Sequence, residues 1–204
     1  MSGYPVVLNG DAITALVVGG GPVAERKTRG LLAAGATVRV VAPVISAALG
    51  ELALSTPRCT LVEREYESGD LSDVTLVVAA TDQREINARV SDDARRFGKL
   101  VNVADAGATG DFVTPATHSC GELLVAVTAG GVPAVAARVR DALAERFDAR
   151  YAYAIRELAA VRARLLDAGD RAGWRDALDQ LLRDGFCERV DSGEFAEEMA
   201  RWRY

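Results

Sequence analysis

Apolar residues in the first hundred positions fall into short unbroken runs separated by longer mixed segments. The runs are "ITALVVG" (13–19), "TVRVVAP" (37–43), "CTLVER" (59–64), "VTLVVAAT" (74–81) and "LVNVAD" (100–105). They are rich in Val, Leu and Ala with little in/out alternation, the pattern of strands buried on both faces. Between them, "PVAERKTRGLLAAG" (22–35), "ISAALGELAL" (45–54) and "REINARVSDDARRFG" (84–98) read as helices. Strands alternating with helices predict an α/β fold, a Rossmann-like doubly wound parallel sheet.

The pattern changes near residue 113. "FVTPATH" (112–118) and "ELLVAVT" (122–128) read as two more strands, the first broken by Pro115. "AGGVPAVAARVRDALAERF" (129–147) supplies a glycine stop and then a helix with Pro133 in its first turn. On that helix Val135, Val139, Leu143 and Phe147 form one apolar stripe. Beyond it come three helical stretches, "YAYAIRELAAVRARLLDAG", "RAGWRDALDQLLRDGF" and "SGEFAEEMARWRY", with mixed charges on their polar faces. Their apolar positions, Tyr151, Ile155, Leu158, Trp174, Leu178 and Leu181, recur at helical spacing and suit core or dimer contact. The expected division is therefore an α/β domain over 1–113, a short α+β central segment over 114–147, and an all-helical C-terminal region over 148–204.

Half of the 204 residues are apolar, enough for one good core and a smaller appendage. The formal net charge of −5 argues against a nucleic-acid binder. Three cysteines lie far apart with no CxxC pair, which suits a reduced, cytoplasmic protein without a thiolate metal site. No apolar run reaches the roughly 18–20 residues of a membrane span, and the N-terminus lacks a basic leader.

The first helix is entered through "VVGGGPVAERK", which sets Gly19-x-Gly21-x-x-Ala24 between strand and helix. In a first βα turn this spacing is a dinucleotide fingerprint. Gly19 makes the tight turn, Gly21 admits a pyrophosphate to the helix N-terminus, and Ala24 lets helix and strand pack closely. The acid that commonly follows the second strand is absent: the chain reads Ala42, Pro43, Val44. Nor does an arginine follow directly, so these residues leave NAD and NADP both open.

In a parallel sheet the C-terminal ends of all strands share one edge, where ligands bind. The glycine loop, Pro43–Val44, and Thr81 and Asp82 after the fourth run should therefore line one crevice with Asp105. Asp105 is either a cap for the turn "DAGATG" or the acid of a reaction. Asp82 and Asp111 divide in the same way, between crevice lining and turn capping.

Taken together, "VVGGGPVAERKTRGLLAAGATVRVVAP", "VVAATDQREINARV", "VNVADAGATGDFVTPA" and "LLVAVTAGGVPAVAARVRDALAERF" closely resemble the precorrin-2 dehydrogenase / sirohydrochlorin ferrochelatase family, which includes the N-terminal module of sirohaem synthases. The resemblance spans essentially the whole chain. It implies NAD-dependent oxidation of precorrin-2 to sirohydrochlorin for sirohaem or cobalamin, with Fe2+ insertion in some members. It also implies a homodimer formed through the central segment and the helical tail. It favours NAD, places cofactor contacts on Pro22, Val23, Pro43 and Val44, and makes Asp105 the essential acid. Where some members carry a modified serine, this chain has Ala129, so that regulation does not transfer.

Three weaker candidates concern the polycarboxylate substrate. Arg138 and Arg140 are suited to carboxylates, although their i, i+2 spacing points at most one inward. His118, the single histidine, reads first as a surface or loop residue and second as a proton acceptor or Fe2+ contact. One imidazole without ligand spacing predicts no resident metal site. The rival reading from another class is a non-catalytic NAD-sensing module.

Overall fold

The structure is a computed structural model, and it describes residues 3–104 and 109–202. The chain divides into two compact units, Met1–Thr114 and Pro115–Tyr204.

The first unit alternates strand and helix: β1 (Thr14–Val18), α1 (Pro22–Ala33), β2 (Thr37–Ala42), α2 (Ala47–Ser55), β3 (Cys59–Glu63), β4 (Leu76–Ala79), α3 (Arg84–Arg96) and β5 (Leu100–Val103). All five strands are parallel, in the order β3-β2-β1-β4-β5. The doubly wound sheet expected from the unbroken apolar runs is therefore present, and its reason is visible in the packing. Alternate residues of the central strands enter two separate cores. Leu16, Val18, Val41, Val77, Val101 and Val103 face Val90 and Ala94 of α3. Ala15, Val17, Val38, Val40 and Val78 face Ala24 of α1 and Leu49 of α2. Each fully buried Val or Leu contributes roughly 1.5–3 kcal/mol, so a polar residue on either face of a central strand is costly.

The crossover from β3 to β4 carries only a 3₁₀ turn, Ser68–Leu71, pinned by charge. Arg64 holds the buried Asp70 carboxylate through two hydrogen bonds of 2.9 and 2.6 Å, and Arg39 donates to the Asp70 carbonyl at 2.8 Å.

Winding reverses at β1, because its two neighbours, β2 and β4, lead outward in opposite directions. That reversal opens a crevice at the C-terminal ends of β1 and β4. Beyond β5, residues 110–112 run back along the sheet edge. Asp111 N–H donates to Val101 O at 2.7 Å, the Asp111 carboxylate accepts from Val101 N–H at 3.0 Å, and Asn102 donates to Phe112 O at 2.8 Å. Asp111 thus serves the strand edge.

The second unit begins directly after Pro115 with an antiparallel hairpin, β6 (Ala116–Cys120) and β7 (Leu123–Val127), turned at Gly121 with φ +57°. It continues through α4 (Pro133–Arg146), α5 (Ala149–Asp167), α6 (Arg171–Leu181), α7 (Phe186–Ser192) and α8 (Glu194–Arg201). Tyr151, Ala154, Leu181, Val190 and Phe195 form its core. Two expectations change here. The stretch read as one helix to Phe186 stops at Leu181, and a further short helix, α7, which no sequence stretch marked, stands before the last one. Gly185 and Gly193 adopt φ +77° and +86°, left-handed values that end a helical run. The stripe on α4 is also not buried as a whole: Val135 and Val139 are exposed, while Ala136 is buried. Among the described residues no helix is long and apolar enough to cross a membrane.

Candidate active site

Three consecutive glycines join β1 to α1, and each does a different job. Gly19 takes φ +132° and donates to Val41 O at 3.0 Å. A β-carbon on it would lie 2.3 Å from Ala80 O, so its absence brings the turn against the end of β4. Gly20 lies under the turn after β2: a β-carbon there would be 1.9 Å from Val44 O, and Ser46 N–H donates to Gly20 O at 3.0 Å. Gly21 is different. A β-carbon on it would meet no protein atom within 4 Å, and its φ of −93° strains nothing.

Gly21 is also the N-cap of α1, where no side chain caps the helix and Pro22 occupies the first position. The first-turn N–H groups beyond Pro22 therefore carry no side-chain cap, and the positive end of the helix dipole lies behind them. Ala24 is fully buried against the sheet. This is a cradle for a pyrophosphate, and a dinucleotide fits the residues present. Pro43 and Val44, both exposed, form the rim after β2, with Val44 78% accessible.

The opposite rim is the end of β4. Thr81 is partly buried, and Asp82 beside it is exposed. Alongside, between α3 and the end of β5, lies a cavity of about 630 Å³ lined by Thr81, Asp82, Arg84, Asn87, Ser91 and Val103, among others. Ala104 N–H donates to Ala79 O at 2.8 Å, which keeps the chain in register up to its last described residue before Asp105. Asp105 itself lies outside the described residues.

Sequence reasoning missed three residues at this edge. Gly20 looked like the spacer inside GxG. Asn87 was part of a quoted segment but had no role. Lys27, one turn into α1, is half-buried and donates to Thr114 Oγ1 at 2.6 Å. Burial, and next the charge of Arg26, push its ammonium pKa below the ordinary lysine value. Its sequence signal was its rarity, since only two lysines occur in the chain.

The remaining candidates lie in the second unit. His118 is on β6, not in a loop, and its Nε2 lies 2.7 Å from Phe147 O. A carbonyl only accepts, so Nε2 carries the proton and is committed to that bond. Arg140 is half-buried and paired with Asp141 at 2.6 Å. Arg138 is exposed. Among the described residues no cluster of His, Cys, Asp and Glu has a metal-binding arrangement.

A parallel sheet with a glycine cradle at its switch point defines a dinucleotide-binding protein. The family model described as "Putative NAD(P)-binding" matches residues 6–116, and the chain belongs to that family. Over nearly its full length the chain also resembles siroheme synthases. It is 41% identical over 189 residues to that of Ectopseudomonas mendocina (strain ymp), covering 90% of this chain and 38% of that protein. Against the siroheme synthase of Nitrosomonas europaea it is 37% identical over 197 residues, covering 97% of this chain and 40% of that protein. The chain thus spans about two-fifths of the length of these relatives. A solved structure, "SirC, precorrin-2 dehydrogenase", matches with a TM-score of 0.76 and 26% identity over 98% of this chain and 100% of that one.

Proposed function

We propose that this chain is an NAD-dependent precorrin-2 dehydrogenase, forming sirohydrochlorin for sirohaem or cobalamin. One observation carries the reading: the chain matches a precorrin-2 dehydrogenase end to end while its own glycine cradle stays open at Gly21. NAD is the nucleotide assigned because the family resemblance favours it; Pro43 and Val44 after β2 by themselves leave NAD and NADP open. When bound, NAD⁺ supplies the hydride acceptor.

The chain's own residues hold the dinucleotide and remove a proton. Gly19, Gly21, Pro22, Val23 and Ala24 form the pyrophosphate cradle, Pro43 and Val44 one rim, and Thr81 and Asp82 the other. Asp105, next in sequence after Ala104, is assigned as the general base that takes the proton lost from the macrocycle. The substrate is a polycarboxylate, for which Arg138 remains a candidate contact; Arg140 and His118 are weaker because Asp141 and Phe147 O already engage them. The division at 114–147 and 148–204 is kept as a central segment and a helical tail serving a homodimer. The exposed Leu124, Val132, Val135 and Val139 support a second copy covering that surface. Free Cys59, Cys120 and Cys187 support a cytoplasmic setting.

The test is to mix the purified chain with precorrin-2 and NAD⁺ and follow NADH together with the sirohydrochlorin spectrum. Stoichiometric appearance of both supports the assignment. NADH binding without turnover reduces the protein to a nucleotide holder. Adding Fe2+ as a substrate afterwards tests chelation, in which two pyrrole N–H protons leave as the ion enters.

A further inference from the structure

The last sheet hydrogen bond at the end of β4 runs from Ala80 N–H to Val18 O, at 2.8 Å. Past it, Thr81 has no strand to pair with, although it forms the rim of the crevice. Its polar groups are met from another element. Asn87 of α3 is buried, and its Oδ1 accepts from Thr81 N–H at 3.1 Å and from Thr81 Oγ1 at 2.8 Å. Its Nδ2 donates to Thr81 O at 2.9 Å. One amide therefore answers the N–H and the carbonyl of a single residue and shares its hydroxyl with Gln83, whose carbonyl lies 3.0 Å from Oγ1 and whose N–H donates to it at 3.2 Å. At neutral pH no other side chain of that size offers an acceptor and a donor side by side.

The peptide held this way also meets the glycine turn. Ala80 O, the carbonyl of the Ala80–Thr81 peptide, occupies the space that a β-carbon on Gly19 would need. Its plane is thus fixed from both sides, by Gly19 on one and by Asn87 through Thr81 on the other. We propose that Asn87 is a positioning residue for dinucleotide binding: it clamps the end of β4 against the glycine turn and so sets the width of the crevice. The inference rests on the nucleotide reading above and assigns the crevice a residue that acts through Thr81.

The experiment is titration of the full chain with NADH, read by nucleotide fluorescence, for wild type, Asn87→Ala and Asn87→Asp. Removing the amide leaves partly buried backbone groups of Thr81 without this partner, and NADH affinity should fall about tenfold in Asn87→Ala. Asn87→Asp is the discriminating variant. As a carboxylate it keeps both acceptor contacts but faces the Thr81 carbonyl with a second oxygen. As a neutral acid it has the acceptor and donor of the amide. Its NADH affinity should therefore be weak near about pH 8 and recover toward wild type near about pH 5.5, while wild type shows no such recovery. Should Asn87→Ala fail to fold, the pH response of Asn87→Asp carries the test. A residue that merely stabilises the fold would lower the melting temperature and leave NADH affinity unchanged. Variants binding within twofold of wild type at both pH values overturn the inference alone. A wild-type chain that binds no NADH overturns the nucleotide reading itself, and this inference with it.

Discussion

A β-carbon on Gly20 would stand 1.9 Å from the carbonyl oxygen of Val44, whereas one on the adjacent Gly21 would meet no protein atom within 4 Å. Two neighbouring substitutions should therefore fail for different reasons. Gly20→Ala forces the 42–46 turn away from the glycine loop, so both stability and nucleotide affinity should fall. Gly21→Ala should fold with stability within about 1 kcal/mol of wild type, since its backbone is ordinary and only the N-cap preference changes. Its methyl group, however, enters the space assigned to the pyrophosphate, and NADH affinity should drop by at least about tenfold. Thermal melts and NADH titrations on both variants check this. Equal nucleotide affinity in Gly21→Ala and wild type would place the pyrophosphate elsewhere.

Asp105 carries the proposed chemistry, so removing its charge should separate binding from turnover. Asp105→Asn keeps the shape and loses the base. The dehydrogenation rate should fall on the order of 10²–10⁴-fold, the range of general-base contributions, with NADH affinity within about twofold of wild type. Steady-state rates beside a direct titration make the comparison. Loss of binding at unchanged kcat would mark Asp105 as a turn cap for the loop instead.

The sheet was legible because central strands covered on both faces need apolar residues at every position. The runs at 13–19, 37–43 and 74–81 therefore stand out without any partner information. The glycine cradle was legible because its spacing is local. Gly20 was not, since Val44 reaches it only once β1 and β2 pair. Asn87 was missed for another reason: its partner Thr81 is only six residues away, but a polar side chain that folds back on the preceding turn leaves no mark on apolar periodicity. The stripe on α4 shows the converse limit. Spacing puts Val135 and Val139 on one face but does not say whether that face meets the chain's own core, and in this unit it does not. Gly185 and Gly193 looked like helix residues because a left-handed φ leaves no mark on apolar periodicity.

The Arg64–Asp70 pair makes stability depend on acid. Burial works against the Asp70 carboxylate, but the Arg64 hydrogen bonds, the Glu67 N–H and the charge of Arg39 outweigh it and hold its pKa below the ordinary aspartate value. With a folded pKa below the unfolded one, the contribution is present above about pH 4 and is lost as pH falls through the folded value. Asp70→Asn should cost on the order of 2 kcal/mol at neutral pH, because a charged hydrogen-bond acceptor is replaced by a neutral amide. The gap between wild type and variant should narrow on acidification. Denaturation midpoints at about pH 7 and about pH 3 test the sign, and a gap of constant size contradicts it.

His118 offers a choice between structural and chemical roles, and its geometry favours the first. Its Nε2 donates to Phe147 O at the C-terminal end of α4, and the Phe147 ring packs edge-on against Tyr151 of α5 at 4.8 Å. The imidazole therefore ties the hairpin to the corner between two helices. His118→Leu keeps comparable bulk but leaves that carbonyl without its donor, a loss of about 1 kcal/mol. In a chain of this length that corresponds to a fall in melting temperature of roughly 2–4 °C. The proposed dehydrogenation by the folded variant should stay within about twofold of wild type, because Nε2 is committed to the corner. The opposite result, an unchanged melting temperature with dehydrogenation reduced by about tenfold or more, would return His118 to the substrate site and show that the bond to Phe147 O gives way when the macrocycle binds.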